Sequence, residues 1–362
     1  MRQQISRILF FICKIYFLLL IEGLEKRILD IIHVAWNTTR TCNLRCIHCY
    51  LDAGNKGERE LNTTEAKKLI RYASEIGARS FLFTGGEPLM RKDLYELMEY
   101  AKDFGLKLLL ATNGLLLNDW ALSYLKKFEV SLSINLPTID QYIYKVFTGN
   151  NNKVNDVIEN LKKALGEGLT CSVGVVVTSV NIEEVEKIVE KCEEWEAYCD
   201  VLALIPTGRG GSTFLLPDSF AYEKLLRTLA RKWNAVPMGE IMEKQEGAGR
   251  FGTTHVSVYE PLYGVIAHQE KIVSPKRKLC SLGETFHVME DGEVRGCPFI
   301  DFSLGNVRYN SLKSLLEGGK MKLKMFEVEK CKVCSYNRVC GGCLARALCL
   351  KADRDPACFL FP

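Results

Sequence analysis

From residue 31 onward, short apolar runs alternate with stretches whose apolar residues recur at helical spacing, the pattern of strand followed by helix. Residues 31–36 read as a first strand. Residues 64–76 read as a helix with Ala66, Leu69, Ile70, Ala73 and Ile76 on one face, and Asn62 with Glu65 three positions later supplies a capping pair for it. Further strands are expected at 80–84, 107–111, 130–134, 171–178 and 201–205. A helix over 181–195 carries Ile182, Val185, Ile188, Val189, Cys192 and Trp195 at helical spacing, and Asn181 with Glu184 repeats the capping pair. Six βα units are complete by about residue 230.

Alternating βα units specify a parallel sheet with helices outside it. Six are too few for a closed eight-stranded barrel, so the expected fold is α/β, a partial TIM-like (β/α)6 barrel. In such a sheet, chemistry gathers at the carboxyl ends of the strands. The residues there are distinctive. Cysteines follow the first strand; Gly85, Gly86, Glu87 and Pro88 follow the second; Asn113 and Gly114 follow the third; Asn135, Leu136 and Pro137 follow the fourth; Pro206, Thr207, Gly208 and Arg209 follow the sixth.

The remainder of the chain divides by composition. An apolar run at 8–21, interrupted by Lys14 and preceded by Arg2 and Arg7, is too short and too charged for the ordinary membrane span of about 20 apolar residues. A peripheral amphipathic anchor, a signal anchor and a packing helix all remain open for it. The expected organisation is an N-terminal apolar segment (1–28), the partial barrel (29–230), a glycine-containing bridge (231–279) and a small irregular cysteine-rich domain (280–362). With 47% hydrophobic and 25% charged residues over 362 positions, and a net charge of +4, the chain has the composition of a globular protein with no evident call for nucleic acid. Basic runs at 276–278 and at Lys320, Lys322 and Lys324 read as solvated faces.

The fifteen cysteines change the picture, because a long chain with grouped cysteines uses them for metals or catalysis rather than as a disulfide scaffold. Three lie between 42 and 49 and eight between 280 and 358, while Cys13, Cys171, Cys192 and Cys199 read as small core hydrophobes. Thiolates in such groups favour a reducing compartment, and the expected location is cytoplasmic.

In the first group, Cys42, Cys46 and Cys49 stand in the spacing CxxxCxxC. An iron–sulfur cubane ordinarily takes four thiolates, so three supplied by one loop leave one iron open for an exchangeable ligand. Two or three cysteines with His48 could instead make a zinc site. Position and company favour the cluster. The spacing after a first strand, with Gly85, Gly86 and Glu87 after the second, resembles the radical SAM superfamily. That resemblance implies a [4Fe–4S] cluster held by Cys42, Cys46 and Cys49. It further implies S-adenosylmethionine on the open iron and cleavage of its sulfonium to a 5'-deoxyadenosyl radical. It also implies that Gly85 and Gly86 bring backbone close to S-adenosylmethionine, that Glu87 accepts from its ammonium group, and that Ser133 helps hold its carboxylate or ribose. Asn135 stands where many relatives have Asp. His48 and Tyr50 are expected to shape the surroundings of the cluster rather than ligate it.

The second group begins at Cys280, continues through Gly292 to Cys297, and ends in Cys331, Cys334, Cys340, Cys343, Cys349 and Cys358. It resembles the SPASM extension of radical SAM maturases, which carries two auxiliary clusters. By that resemblance Cys280, Cys297 and Cys343 serve one cluster, and Cys331, Cys334, Cys340 and Cys358 the other. The first then has three obvious ligands. An open iron, Cys349, a non-cysteine ligand or a smaller cluster could complete it. A structural zinc module built from CxxC pairs is the competing reading of the whole group.

Relatives of this type modify peptides, proteins or cofactor precursors and draw electrons from a low-potential donor such as ferredoxin or flavodoxin. The opening from Ala35 to Cys46 and the close from Cys340 to Ala347 look most like two subgroups. One modifies haem or haem d1 precursors; the other accompanies tungsten-containing aldehyde oxidoreductases as a maturase. Asn135 tilts the expectation toward the second. A reading of another class, a non-catalytic iron–sulfur electron carrier, would need four fixed ligands per cluster and no substrate loop.

Overall fold

The computed structural model describes residues 33–149, 153–237, 255–272, 280, 282, 285–323 and 327–360. The apolar run at 8–21, the segment 1–28 and the basic residues 276–278 lie outside the described residues. Among the described residues, no helix is long and apolar enough to cross a membrane.

Six parallel strands form the centre: β1 (His33–Asn37), β2 (Ser80–Thr84), β3 (Lys107–Thr112), β4 (Ser131–Asn135), β5 (Cys171–Val177) and β6 (Tyr198–Ala203). The connections carry α1 (Thr63–Glu75), α2 (Leu94–Asp103), α3 (Asp119–Lys127), α4 (Gln141–Thr148), α5 (Val154–Gly166) and α6 (Val185–Glu194), and α7 (Ser219–Trp233) follows β6. The period-2 burial of the strands explains the layering. In β4, Leu132 and Ile134 are buried, while Ser131, Ser133 and Asn135 line the opposite, half-buried face. Helix α1 buries Ala66, Leu69, Ile70 and Ala73, the face its spacing predicts. Each large aliphatic side chain so removed from water contributes about 1.5–3 kcal/mol.

The partial barrel expected from the sequence is the fold found, but its sheet is wider. Among the described residues it has eleven strands, in the order β11-β10-β9-β1-β2-β3-β4-β5-β6-β8-β7. On one edge, β7 (Val236–Pro237) and β8 (Val256–Tyr259) continue it in parallel beyond β6. On the other, β9 (Thr285–Val288) runs parallel to β1, and β10 (Glu293–Arg295) and β11 (Ser303–Asn306) follow antiparallel. These strands come from segments too short and too interrupted by glycine to show a period in sequence. α8 (Tyr263–Gln269) lies between β8 and β9 in the chain, and α9 (Leu312–Leu323), α10 (Glu329–Lys332) and α11 (Leu344–Cys349) follow β11.

Two local expectations are corrected. The pair Asn62 and Glu65 does form a capping box, each side chain accepting the other's backbone N–H at 3.0 Å. Asn181 does not cap. Its Oδ1 accepts from the Thr178 amide (2.7 Å) and hydroxyl (2.9 Å), and its Nδ2 donates to the carbonyls of Pro137 and Val176. A fully buried amide satisfies more groups by pinning the end of β5 to the β4 loop than by capping a helix, and that helix opens instead as a 3-10 turn. The strand expected at 201–205 runs three residues earlier at its start, because residues 199–202 pair with β8. Ile205 leaves the sheet and packs against Cys343 and Ala345.

Candidate functional site

The loop after β1 is tied to itself before it meets anything else. Glu60 Oε1 accepts from the Thr39 hydroxyl and from the amides of Arg40 and Gly57, each at 2.9 Å. The Gly54 amide donates to Arg40 O and the Cys42 amide to Gly54 O. The far side of the loop hangs on the end of α4, where Arg45 and Ile47 donate to the carbonyls of Thr148 and Phe147. Cys42, Cys46 and Cys49 therefore sit on a braced turn as half-buried thiols outside any disulfide.

Gly85 and Gly86 lie against this loop's backbone. A Cβ on Gly85, at φ +122°, would stand 2.7 Å from Thr39 O, and one on Gly86 would stand 2.3 Å from Thr41 O. The amides of Gly86 and Glu87 donate to those same two carbonyls at 2.7 and 2.8 Å. Only residues without a side chain permit this approach. Glu87 turns inward and is fully buried. Its carboxylate accepts from the Thr112 hydroxyl and from the amides of Asn113 (2.8 Å) and Leu89 (3.1 Å), which joins the ends of β2 and β3. Burial pushes its carboxyl up to about 7 against those three hydrogen bonds. Asn113 in turn donates to Asn43 Oδ1 at 2.7 Å, carrying the brace back to the cysteine loop.

From the other side, the loop after β6 closes on the cysteines. Gly208, at φ +59°, and Gly210 pass so near that added Cβ atoms would meet Tyr50 O at 2.4 Å and His48 O at 2.9 Å. Arg209 donates from its amide to Cys49 O (2.9 Å), from Nε to Cys46 O (3.0 Å) and from Nη1 to Ala53 O (2.7 Å), and it pairs with Asp52. From the sequence, Gly208 and Arg209 are compatible both with the loop that lies near adenine in radical SAM relatives and with a plain turn. Arg209 is instead a clasp, and its cation lies close enough to favour the thiolate forms of Cys42 and Cys46.

The sulfurs are set up as acceptors. The Leu44 amide donates to Cys42 Sγ at 3.4 Å and the Ala53 amide to Cys49 Sγ at 3.3 Å. Burial, with Cys42 and Cys49 nearby, pushes the Cys46 thiol up to about 12. A cationic partner such as iron reverses that bias by accepting the thiolate. Buried polar atoms beside the loop also lack partners among the described residues: Tyr144 Oη, which lies near Cys46, and His48 Nδ1. His48 packs on Phe147 with ring centroids 4.7 Å apart, and burial lowers it to about 4, so its ring is neutral. Together the amide-bonded sulfurs, the adjacent guanidinium and the partnerless hydroxyl fit a thiolate-bound cluster. Among the described residues no three His, Cys, Asp or Glu side chains converge on a single-ion position. Ser133 and Asn135 share the half-buried face of β4.

Tyr50 links this loop to the second group of cysteines. It donates to Asn37 Oδ1 at 2.8 Å, stacks edge-on against Phe299 at 5.1 Å, and lies near both Cys49 and Cys297. In the second group, Cys297 and Cys349 pack with Cys343 around Ile205 and Ala345. Burial pushes Cys297 up to about 12, with Cys280 and Cys349 adding to the effect. Cys331 lies near Cys334 and Cys340, and its thiol is raised by burial. Gly341 and Gly342 are both left-handed (φ +76° and +70°), and a Cβ on Gly342 would stand 2.7 Å from Cys331 Sγ. The backbone amide of Cys358 bonds Asp355 O at 3.0 Å.

A buried ionic network underlies these cysteines. Arg346 binds both oxygens of Glu260 (2.7 and 2.8 Å) and both of Asp355 (2.8 Å each), and all three residues are essentially inaccessible. Asp355 also accepts from the Cys343 amide at 2.7 Å, and Tyr222 on α7 donates to Glu260 at 2.7 Å. The sequence signal for this network was a single arginine flanked by Ala345 and Ala347, both buried beside it.

Comparison with known proteins agrees with this geometry. Residues 36–192 match the model of the Radical SAM superfamily. An AdoMet-dependent heme synthase of Methanosarcina barkeri is 29% identical over 348 residues, covering 91% of this chain and 96% of that protein. A mycofactocin maturase of Mycolicibacterium smegmatis is 25% identical, covering 90% of this chain and 81% of that protein. In fold, the chain is similar to Streptococcus suis SuiB bound to the precursor peptide SuiA, with a TM-score of 0.69 at 18% identity, over 93% of this chain and 78% of that one.

Proposed function

We propose, from the match of residues 36–192 to the Radical SAM superfamily, that the chain is a radical SAM maturase-type oxidoreductase that modifies a cofactor precursor, with an iron tetrapyrrole as the first candidate. In the family, a [4Fe–4S] cluster supplies the electron that cleaves S-adenosylmethionine into methionine and a 5'-deoxyadenosyl radical able to abstract hydrogen. Cys42, Cys46 and Cys49 hold that cluster in this reading, and Arg209 and the amides of Leu44 and Ala53 stabilise the thiolates by charge and by N–H donation. Gly85 and Gly86 fix the loop's height above the sheet. Glu87 keeps the ends of β2 and β3 in register beneath it, and Ser133 and Asn135, on the half-buried face of β4, offer polar groups to the bound nucleoside. Cys280, Cys297 and Cys343, and separately Cys331, Cys334, Cys340 and Cys358, hold two auxiliary clusters. A ferredoxin or flavodoxin supplies the reducing electron.

The observation that carries the substrate reading is the match to a protein named as a heme synthase over nearly the full length of both chains. Tungsten-oxidoreductase maturation, toward which Asn135 pointed, finds no support among the relatives described above. A peptide substrate is the second reading, favoured by the mycofactocin maturase relative and by the SuiB fold, which takes a precursor peptide. The electron-carrier reading gives way to enzyme family membership.

Reduced holoenzyme with S-adenosylmethionine should change the side-chain mass of an iron tetrapyrrole bearing propionate groups and release 5'-deoxyadenosine in proportion. If tetrapyrroles are returned unchanged while a peptide encoded beside this gene is modified, the second reading replaces the first.

A further inference from the structure

We infer that Cys349 is the fourth thiolate ligand of the first auxiliary cluster, completing a site with Cys280, Cys297 and Cys343. The inference rests on the auxiliary-cluster reading above and supplies the ligand that the sequence left open.

Three placements carry it. Cys349 is the last residue of α11, whose N-cap is Cys343, so one short helix bears both sulfurs. Six residues of helical rise set their Cα positions about 9 Å apart along the axis, so the two side chains must turn toward one another to share a cluster, and both belong to the group packed around Ile205 and Ala345. Second, Cys349 Sγ lies 3.9 Å from Phe299 O, two residues past Cys297, and Cys297, Cys343 and Cys349 pack in one group around Ile205 and Ala345. Third, Cys343 Sγ already accepts the Arg346 amide at 3.5 Å, and its own amide is fixed by Asp355, so the turn presenting these two sulfurs is held in place. On ligation the Cys349 proton leaves to solvent, its bond to Phe299 O is given up, and a thiolate–iron bond forms without change of oxidation state.

The test uses full-length protein reconstituted anaerobically in a Cys42→Ala, Cys46→Ala, Cys49→Ala background, so that only the C-terminal clusters are counted. That background should hold roughly eight iron and eight sulfide per chain, as two [4Fe–4S] clusters. Adding Cys349→Ala should lower both by about half, or convert one cluster to a three-iron form with its own electron paramagnetic resonance signal. Cys349→Ser, which retains an oxygen donor in the same place, should keep the iron and shift that signal. It decides the matter if circular dichroism shows the alanine variant unfolded. Cys192→Ala, in the core away from both groups, should change nothing. Iron, sulfide and spectra unaltered in both Cys349 variants would overturn the assignment while leaving the auxiliary clusters intact. A background protein holding no iron at all would overturn the cluster reading itself, and the assignment with it.

Discussion

At the residue scale, contact distance rather than conformational strain distinguishes the glycines. Gly105 is left-handed (φ +72°) with nothing within 4 Å of an added Cβ, whereas at Gly86 the added Cβ would stand 2.3 Å from Thr41 O. Gly105→Ala should cost about 1–2 kcal/mol of stability and spare iron binding, since only the backbone angle is penalised. Gly86→Ala should also cost about 1–3 kcal/mol, but by displacing the cysteine loop it should lower iron incorporation severalfold. Iron per chain after reconstitution separates the two. Glu87 makes a pH prediction. Its carboxyl is raised by burial to about 7 from an ordinary 4.5, so its contribution to stability is full below pH 4.5 and is lost as pH rises through 7. Glu87→Gln removes that loss. On the order of 3 kcal/mol should therefore pass in the variant's favour across this window, read as the difference in thermal midpoints of the anaerobic proteins. Sequence spacing together with the resemblance it carries to the radical SAM superfamily made Cys42, Cys46, Cys49, Gly85, Gly86 and Glu87 legible as candidates. Arg209 could be placed in the loop after the sixth strand, but its contacts to the cysteine loop could not be read, because a guanidinium reaching back across more than 150 residues leaves no local pattern.

At the element scale, the helix faces and most strand ends could be read because burial imposes a period, as in α1 and β4. The edge strands could not. β7, β8 and β9 are held by pairing with a neighbour far away in sequence, and Val236–Pro237 is too short to show any alternation. The same distance hid the network centred on α11. Arg346 balances two carboxylates from β8's end and from the C-terminal turn, so removing it strands both in the interior. Arg346→Met should destabilise the protein by about 3–5 kcal/mol, measured by denaturant unfolding of anaerobic protein. The triple change Arg346→Met, Glu260→Gln, Asp355→Asn should recover part of that loss, because it leaves no unpaired buried charge. Failure of the triple variant to recover any stability would show that the network serves more than charge balance.

At the scale of the whole molecule, one sheet joins the two groups of cysteines. β9 pairs directly with β1, and Tyr50, next to Cys49 in sequence, also lies near Cys297. The loop that carries the first three cysteines and the segment that leads to Cys297 are thereby tied to one sheet. The central claim is that Cys42, Cys46 and Cys49 form the centre that cleaves S-adenosylmethionine. Its most direct test is 5'-deoxyadenosine formation by the reduced, reconstituted enzyme, compared with Cys46→Ala. The account predicts product from the wild type and none from the variant, with the variant keeping its C-terminal iron. A wild type that makes no 5'-deoxyadenosine, or a Cys46→Ala variant that makes as much, would contradict it.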